Sequence, residues 1–255
     1  VGPEPAPPAT IGAAFGKGWA AALENLPAIL GLQALMASIV AIYHYWPAGK
    51  AFLGAYAAWQ SAGGDLGNGL AAALAGGVLS EVSLVYFQDR GRWTWAHVES
   101  LCFKFALFFV AGCVVYKFYQ LQGYWWGQGA SLRVLVPKVI VDQFGYTVLY
   151  AAPYYAVMTR WYALRYSVTR LVGELKPRFI MERVLPVLVM NWMFWIPAIT
   201  LVYAMPWALQ PPLYIFATAI WGLLVAAIGR QGARRSAATD APPSPRPDLV
   251  AEPVE

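Results

Sequence analysis

Six stretches of this chain, at about residues 26–46, 66–87, 101–121, 135–158, 184–205 and 208–228, are apolar for close to the length of a membrane crossing. A helical crossing takes roughly 20 mostly apolar residues, because backbone N–H and C=O groups in hydrocarbon must be satisfied within the segment itself. The last two stretches are parted only by the "MPWALQPP" corner, which predicts a helical hairpin. Segment 50–61 is too short to span and reads as an amphipathic interfacial piece. The expected fold class is all-α, a polytopic membrane helical bundle over residues 26–228. An N-terminal tail (1–25), partly disordered, precedes it, and a disordered Pro/Ala-rich tail (229–255) follows it.

Composition argues against a soluble fold. Of 255 residues, 59% are hydrophobic and 12% are charged, whereas an ordinary globular chain carries about 25% charged residues. The net charge of +5 is the usual trace of cytoplasmic loops. With six crossings, all of the 18 Lys and Arg residues except Lys50, Lys104, Lys117, Arg133 and Lys138 fall on one side, together with both termini. That side is predicted to be cytoplasmic or its equivalent. No basic run interleaved with aromatics points to nucleic acid. Tyr and Trp cluster at the expected span ends, as at Tyr43–Trp46 and Tyr124–Trp126, where an amphipathic ring suits the headgroup level. His44 and His97 lie in such clusters and are expected to be interfacial and without partners. Gly69, Ala73 and Gly77 recur every four residues, a small-residue face on which another helix can approach closely.

The chemistry-bearing candidates are the polar groups at membrane depth: Glu81, Lys138, Asp142, Gln143 and Asn191. Such groups face the bundle interior and mark functional sites or helix contacts. Lys138 and Asp142 are four apart, which on an α-helix puts them on one face where they can pair. Gln143 turns about 100° further round and is expected to bond a different helix. Lys104 and Lys117, near span ends, are expected to snorkel to the interface. No HExxH, GxSxG or metal-spaced His or Cys is present, so neither a catalytic nor a cofactor site is expected.

Several of these pieces occur in an order that resembles the Mpv-seventeen/peroxisomal membrane protein family. "KVIVDQ" (138–143) is similar to its Lys-three-residues-Asp-Gln signature, and "NWMFWIPAITLVYAMP" (191–206) to its carboxyl-terminal Asn-Trp, Trp-Pro and aromatic-to-Pro pattern. "GCVVYKFYQL" (112–121) is similar to its Gly-Pro…Trp-Tyr element, and Trp221 falls at the spacing of the last-helix Trp. Gly112, Tyr119, Trp192, Trp195, Pro197, Pro206 and Trp221 thus occupy signature positions. The chain departs from the pattern at Cys113, Phe118, Val148 and Gln210, and the family's Gly-Asp is at best Ser80-Glu81, so the resemblance is to a distant member. It covers roughly residues 56–228. It implies a four-helix family core, to which the first apolar stretch is additional, in a bacterial inner membrane, or in the mitochondrial inner or peroxisomal membrane of a eukaryote.

The function the resemblance implies is that of a small channel or transport-related protein. The alternative is a membrane scaffold whose buried polar residues only fix helix packing. The partners expected are the lipid bilayer, a small solute or ion, and a second copy of the chain. Asp142 is the foremost single candidate, and convergence of Glu81, Lys138, Asp142 and Asn191 on one cavity would separate the two readings.

Overall fold

The structure is a computed structural model that describes residues 10–222. The expected C-terminal tail, the end of the 208–228 stretch and residues 1–9 lie outside the described residues. Every regular element among those described is helical. Among the described residues, four helices are long and apolar enough to cross a membrane: Leu26–Tyr45, Gly64–Phe87, Trp95–Trp126 and Pro177–Ala204.

In chain order the helices are α1 (Ile11–Glu24), α2 (Leu26–Tyr45) and α3 (Pro47–Ala62). Next come α4 (64–88), α5 (Trp95–Trp126), α6 (132–163), α7 (Val168–Glu174) and α8 (177–204). A 3-10 turn, Trp207–Leu209, leads into α9 (210–222). Three of these helices contain stretches of wide π turns: Ala73–Val78 in α4, Val141–Ala151 in α6 and Ile180–Val184 in α8. Pro153 and Pro186 follow the last two at once. A proline removes an N–H and crowds the carbonyl four residues back, and a wider turn relieves both. Gly76 and Gly77 mark the first.

Within the expected N-terminal tail, residues Ile11–Glu24 form the helix α1. Thr10 caps α1, its Oγ accepting from the Ala13 N–H at 3.2 Å. Ala14, Gly18 and Ala22 then form a buried small-residue stripe, with Gly18 set against the Pro186 carbonyl and Val189 of α8. The spacing of four is the cue, hidden in the sequence by the alanine-rich composition around it.

The hairpin predicted around "MPWALQPP" is present over the described residues. Gln210 clamps its corner, donating to the carbonyls of Met205 (3.0 Å) and Tyr203 (3.4 Å). α9 then runs back through the middle of the bundle, with Leu213, Ile215, Ala217 and Ile220 all buried. A helix apolar nearly all round belongs in an interior. Tyr119 of α5 and Trp195 of α8 pack on its Tyr214 at centroid distances of 5.7 and 5.5 Å.

α4 and α5 are pressed together through small residues. Gly69 lies against Phe109 and Cys113, Gly77 against the backbone at Lys104 and Phe105, and Gly112 against Gly69 and Asn68. A Cβ on Gly112 would stand 2.7 Å from the Asn68 carbonyl oxygen and 3.0 Å from the Gly69 Cα. Both obstacles are backbone and yield little. Gly112→Val is therefore expected to lower stability by about 1–3 kcal/mol. Gly145→Ala, where the nearest atom is a Val141 methyl at 4.0 Å, should raise it by about 0.5–1 kcal/mol. Thermal unfolding in detergent, followed by tryptophan fluorescence, reads both signs.

Candidate functional site

A cavity of about 1040 Å³ lies between α4, α5, α6, α8 and α9. Its outer rim carries Thr159, Arg160, Glu182 and Arg183, at the end of the bundle that bears the 89–94 and 164–176 turns. From there it descends past Ser100 and Asn191 to Asp142, Gln143 and Tyr119. Behind these stand Gln122, Lys138, Tyr203 and Gln210, each at most 1% exposed and none of them lining the cavity. Among the described residues the cavity is thus a vestibule with a polar floor and a packed plug behind it.

The wide turns of α6 build that floor. Lys138 stands in the α-helical turn before the π stretch, and Asp142 is the second residue within it. The expected Lys138–Asp142 ion pair is not formed. Asp142 Oδ2 accepts from the Tyr203 hydroxyl and Oδ1 from Gln143 Nε2, both at 2.7 Å. Lys138, fully buried, has its ammonium 5.5 Å from the centroid of the Tyr203 ring and no hydrogen-bond acceptor among the described residues. The Gln143 side chain does not bond a different helix as expected: its amide serves its own neighbour Asp142. Only its backbone carbonyl reaches another helix, accepting from Trp192 Nε1 at 3.0 Å.

Glu81 does not reach the cavity. It is 1% exposed and is held between α4 and α5 by Lys104 Nζ and by the Ser100 hydroxyl at 2.8 Å. Those two partners line the cavity and Glu81 stands behind them. Lys104 therefore turns inward and does not snorkel, and Lys117 pairs with Asp65 at 2.9 Å. His97 also has partners. Its Nδ1 accepts from the Thr94 N–H at 3.0 Å and its Nε2 lies 3.2 Å from Asp89.

The residues of the family resemblance fall around the same core. Trp195 and Trp221 line the cavity, with centroids 6.4 Å apart. Tyr119 is 1% exposed and packs on Tyr203 at 5.2 Å. Pro197 lies inside α8, and one turn back the Phe194 carbonyl takes a hydrogen bond from Gln33 Nε2 of α2. Pro206 sits in the hairpin corner ahead of the Trp207 turn.

Sequence reasoning missed Tyr203, Gln122 and Gln33. Gln122 donates to the Lys138 carbonyl at 3.0 Å, yet α5 runs five residues past the predicted span end at 121, so the residue read as loop. Buried glutamine at a span edge is the signal that was available. Tyr203 carries no such cue, since a tyrosine in an apolar run reads as core or interface.

At the rim, Arg160 grips Glu174 through two hydrogen bonds of 2.6 Å and ties α7 to the end of α6. These bonds hold the Glu174 carboxyl below its ordinary value of 4.5. A carboxyl depressed in the folded state adds stability above its unfolded pKa and loses it as pH falls through the folded one. Hydrogen exchange across Val168–Glu174, corrected for intrinsic rates, is accordingly expected to accelerate as pH drops below 4.5, and Glu174→Gln should remove that dependence.

Comparison with protein-family models, with curated proteins and with solved structures returns no match to this chain. The site's chemistry therefore rests on its own residues.

Proposed function

We propose that this is an integral membrane protein of the Mpv-seventeen type that acts as a small channel or transport-related protein, with Asp142, Gln143 and Asn191 along its path. The observation that carries this reading is the shared cavity: three polar groups from two helices face one space that leads to the exposed rim at Arg183. Ionisable groups at membrane depth that meet a cavity mark solute or ion pathways.

The packing supports six crossings. α6, at 32 residues in all, spans roughly 48 Å at 1.5 Å per residue, and its Lys138, Asp142 and Gln143 are turned inward. Loops sort to two ends as that topology requires. α3 contacts the 207–209 corner and Gly123 meets Trp207 at one end, while Arg165 bonds Glu99 at the other. The second end carries most of the basic residues, so both termini belong on the cytoplasmic side, of a bacterial inner membrane in the first instance.

The pore reading is tested in planar bilayers. Wild-type protein should conduct, and Asp142→Asn should change conductance about tenfold if a charge at the floor is worth at least 1.4 kcal/mol to the permeant species. Silence from both proteins, beside a conducting control porin, would sink the reading. The scaffold alternative draws support from Glu81, whose partners Lys104 and Ser100 make a private contact between two helices. It predicts that Asp142→Asn shifts melting temperature alone.

A further inference from the structure

The floor of the cavity offers more acceptor capacity than its own donors fill. A carboxylate has about four lone-pair sites, and Asp142 receives one hydrogen bond on each oxygen. Gln143 Oε1 and the Tyr119 hydroxyl have no hydrogen-bond partner among the described residues, although the side chains are only 2% and 1% exposed. All three residues line the cavity. Tyr203 ties them into one group, since its hydroxyl bonds Asp142 and its ring packs on Tyr119.

Above this floor the walls are aromatic, with Tyr146, Tyr155, Trp195, Tyr214 and Trp221 prominent. The faces of such rings attract cations, most strongly where water is excluded. Of the cations that line the cavity, Lys104 is engaged by Glu81 and Arg160 by Glu174, and Arg183 stands at the exposed rim, away from the floor. Lys138 is held on the Tyr203 ring outside the cavity and makes no bond to Asp142. An anion would meet acceptors at the floor, and no group of three His, Cys, Asp or Glu that could hold a metal ion occurs among the described residues. A volume of about 1040 Å³ sits at the upper end of the roughly 300–1,000 Å³ typical of sites for drug-sized ligands.

We propose that the cavity binds a protonated amine with an aromatic or alkyl body, with Asp142 as its counter-ion and Gln143 Oε1 and the Tyr119 hydroxyl accepting from its remaining N–H groups. The ammonium would lie on the floor and the body between the aromatic walls. This names a ligand class for the site described above and rests on the reading of that cavity as a pathway.

The test is equilibrium dialysis of the full chain in nanodiscs, with empty nanodiscs subtracted, against three probes of one shape: 2-naphthylethylamine, 2-naphthylethanol and 2-naphthylacetate. The amine should bind about tenfold or more tightly than the alcohol, the margin of a charge-assisted hydrogen bond, and the acid most weakly. Asp142→Asn should erase the preference for the amine. Tyr119→Phe and Gln143→Leu should each weaken the amine alone. Equal binding of amine and alcohol to wild type overturns the proposal, as does an amine preference that survives Asp142→Asn. The wild-type series decides even if that variant fails to fold. Amine binding without bilayer conductance upholds the ligand site and removes the pore; conductance without amine preference does the reverse.

Discussion

Lys104→Met is expected to destabilise the protein by about 3–5 kcal/mol, because it strands a buried carboxylate without its cation. Glu81 is 1% exposed and its contacts are Lys104 and the Ser100 hydroxyl. Ser100 alone offers one donor to a group that was compensated by a full charge. Glu81→Leu combined with Lys104→Met should recover most of the loss, since a buried ion pair is often replaceable by apolar residues of similar volume. Denaturant unfolding in mixed micelles of the wild type, both single variants and the double variant gives the coupling energy. Additive losses would show that the pair does not hold α4 to α5.

The second large effect has the opposite sign. Lys138→Met is expected to stabilise the protein by about 1–3 kcal/mol, because the native ammonium is buried with no hydrogen-bond acceptor among the described residues. What it loses is the contact with the Tyr203 ring, which offsets part of the gain. The same unfolding measurement bears on the function. A residue present only to fix packing must cost stability when removed, so a stabilising Lys138→Met argues against the scaffold reading at this position. It should also tighten binding of the naphthyl amine at Asp142, by removing a like charge from behind the floor.

The two variants show how differently the sequence prepares one for buried charges. Glu81 and Lys104 are 23 residues apart, on different helices, and no periodicity links them. Lys138 and Asp142 are four apart and invite pairing, yet Tyr203 and Gln143 take the carboxylate oxygens and the ammonium lies on the Tyr203 ring. Helical spacing rules say which residues share a face, and they do not say which remote side chain, here Tyr203, will reach that face first. Asp142 and Gln143 were identifiable as candidates from their cost in an apolar run. Which atoms they would satisfy was not.

What the sequence by itself determined is the helical character, the apolar stretches long enough to cross a membrane, the hairpin corner at 205–209 and the small-residue face of α4. Each follows from a local property, whether hydropathy over one crossing length, a proline-bounded corner or a spacing of four. What only the tertiary structure decided is the destination of the polar side chains. It sent Asp142, Gln143 and Asn191 to a shared cavity, Glu81 to a contact with Lys104 behind its wall and Lys138 to the face of Tyr203. The physical reason is that a buried polar group takes whichever partner reaches it in three dimensions, and here Tyr203 and Lys104 come from helices remote in the chain.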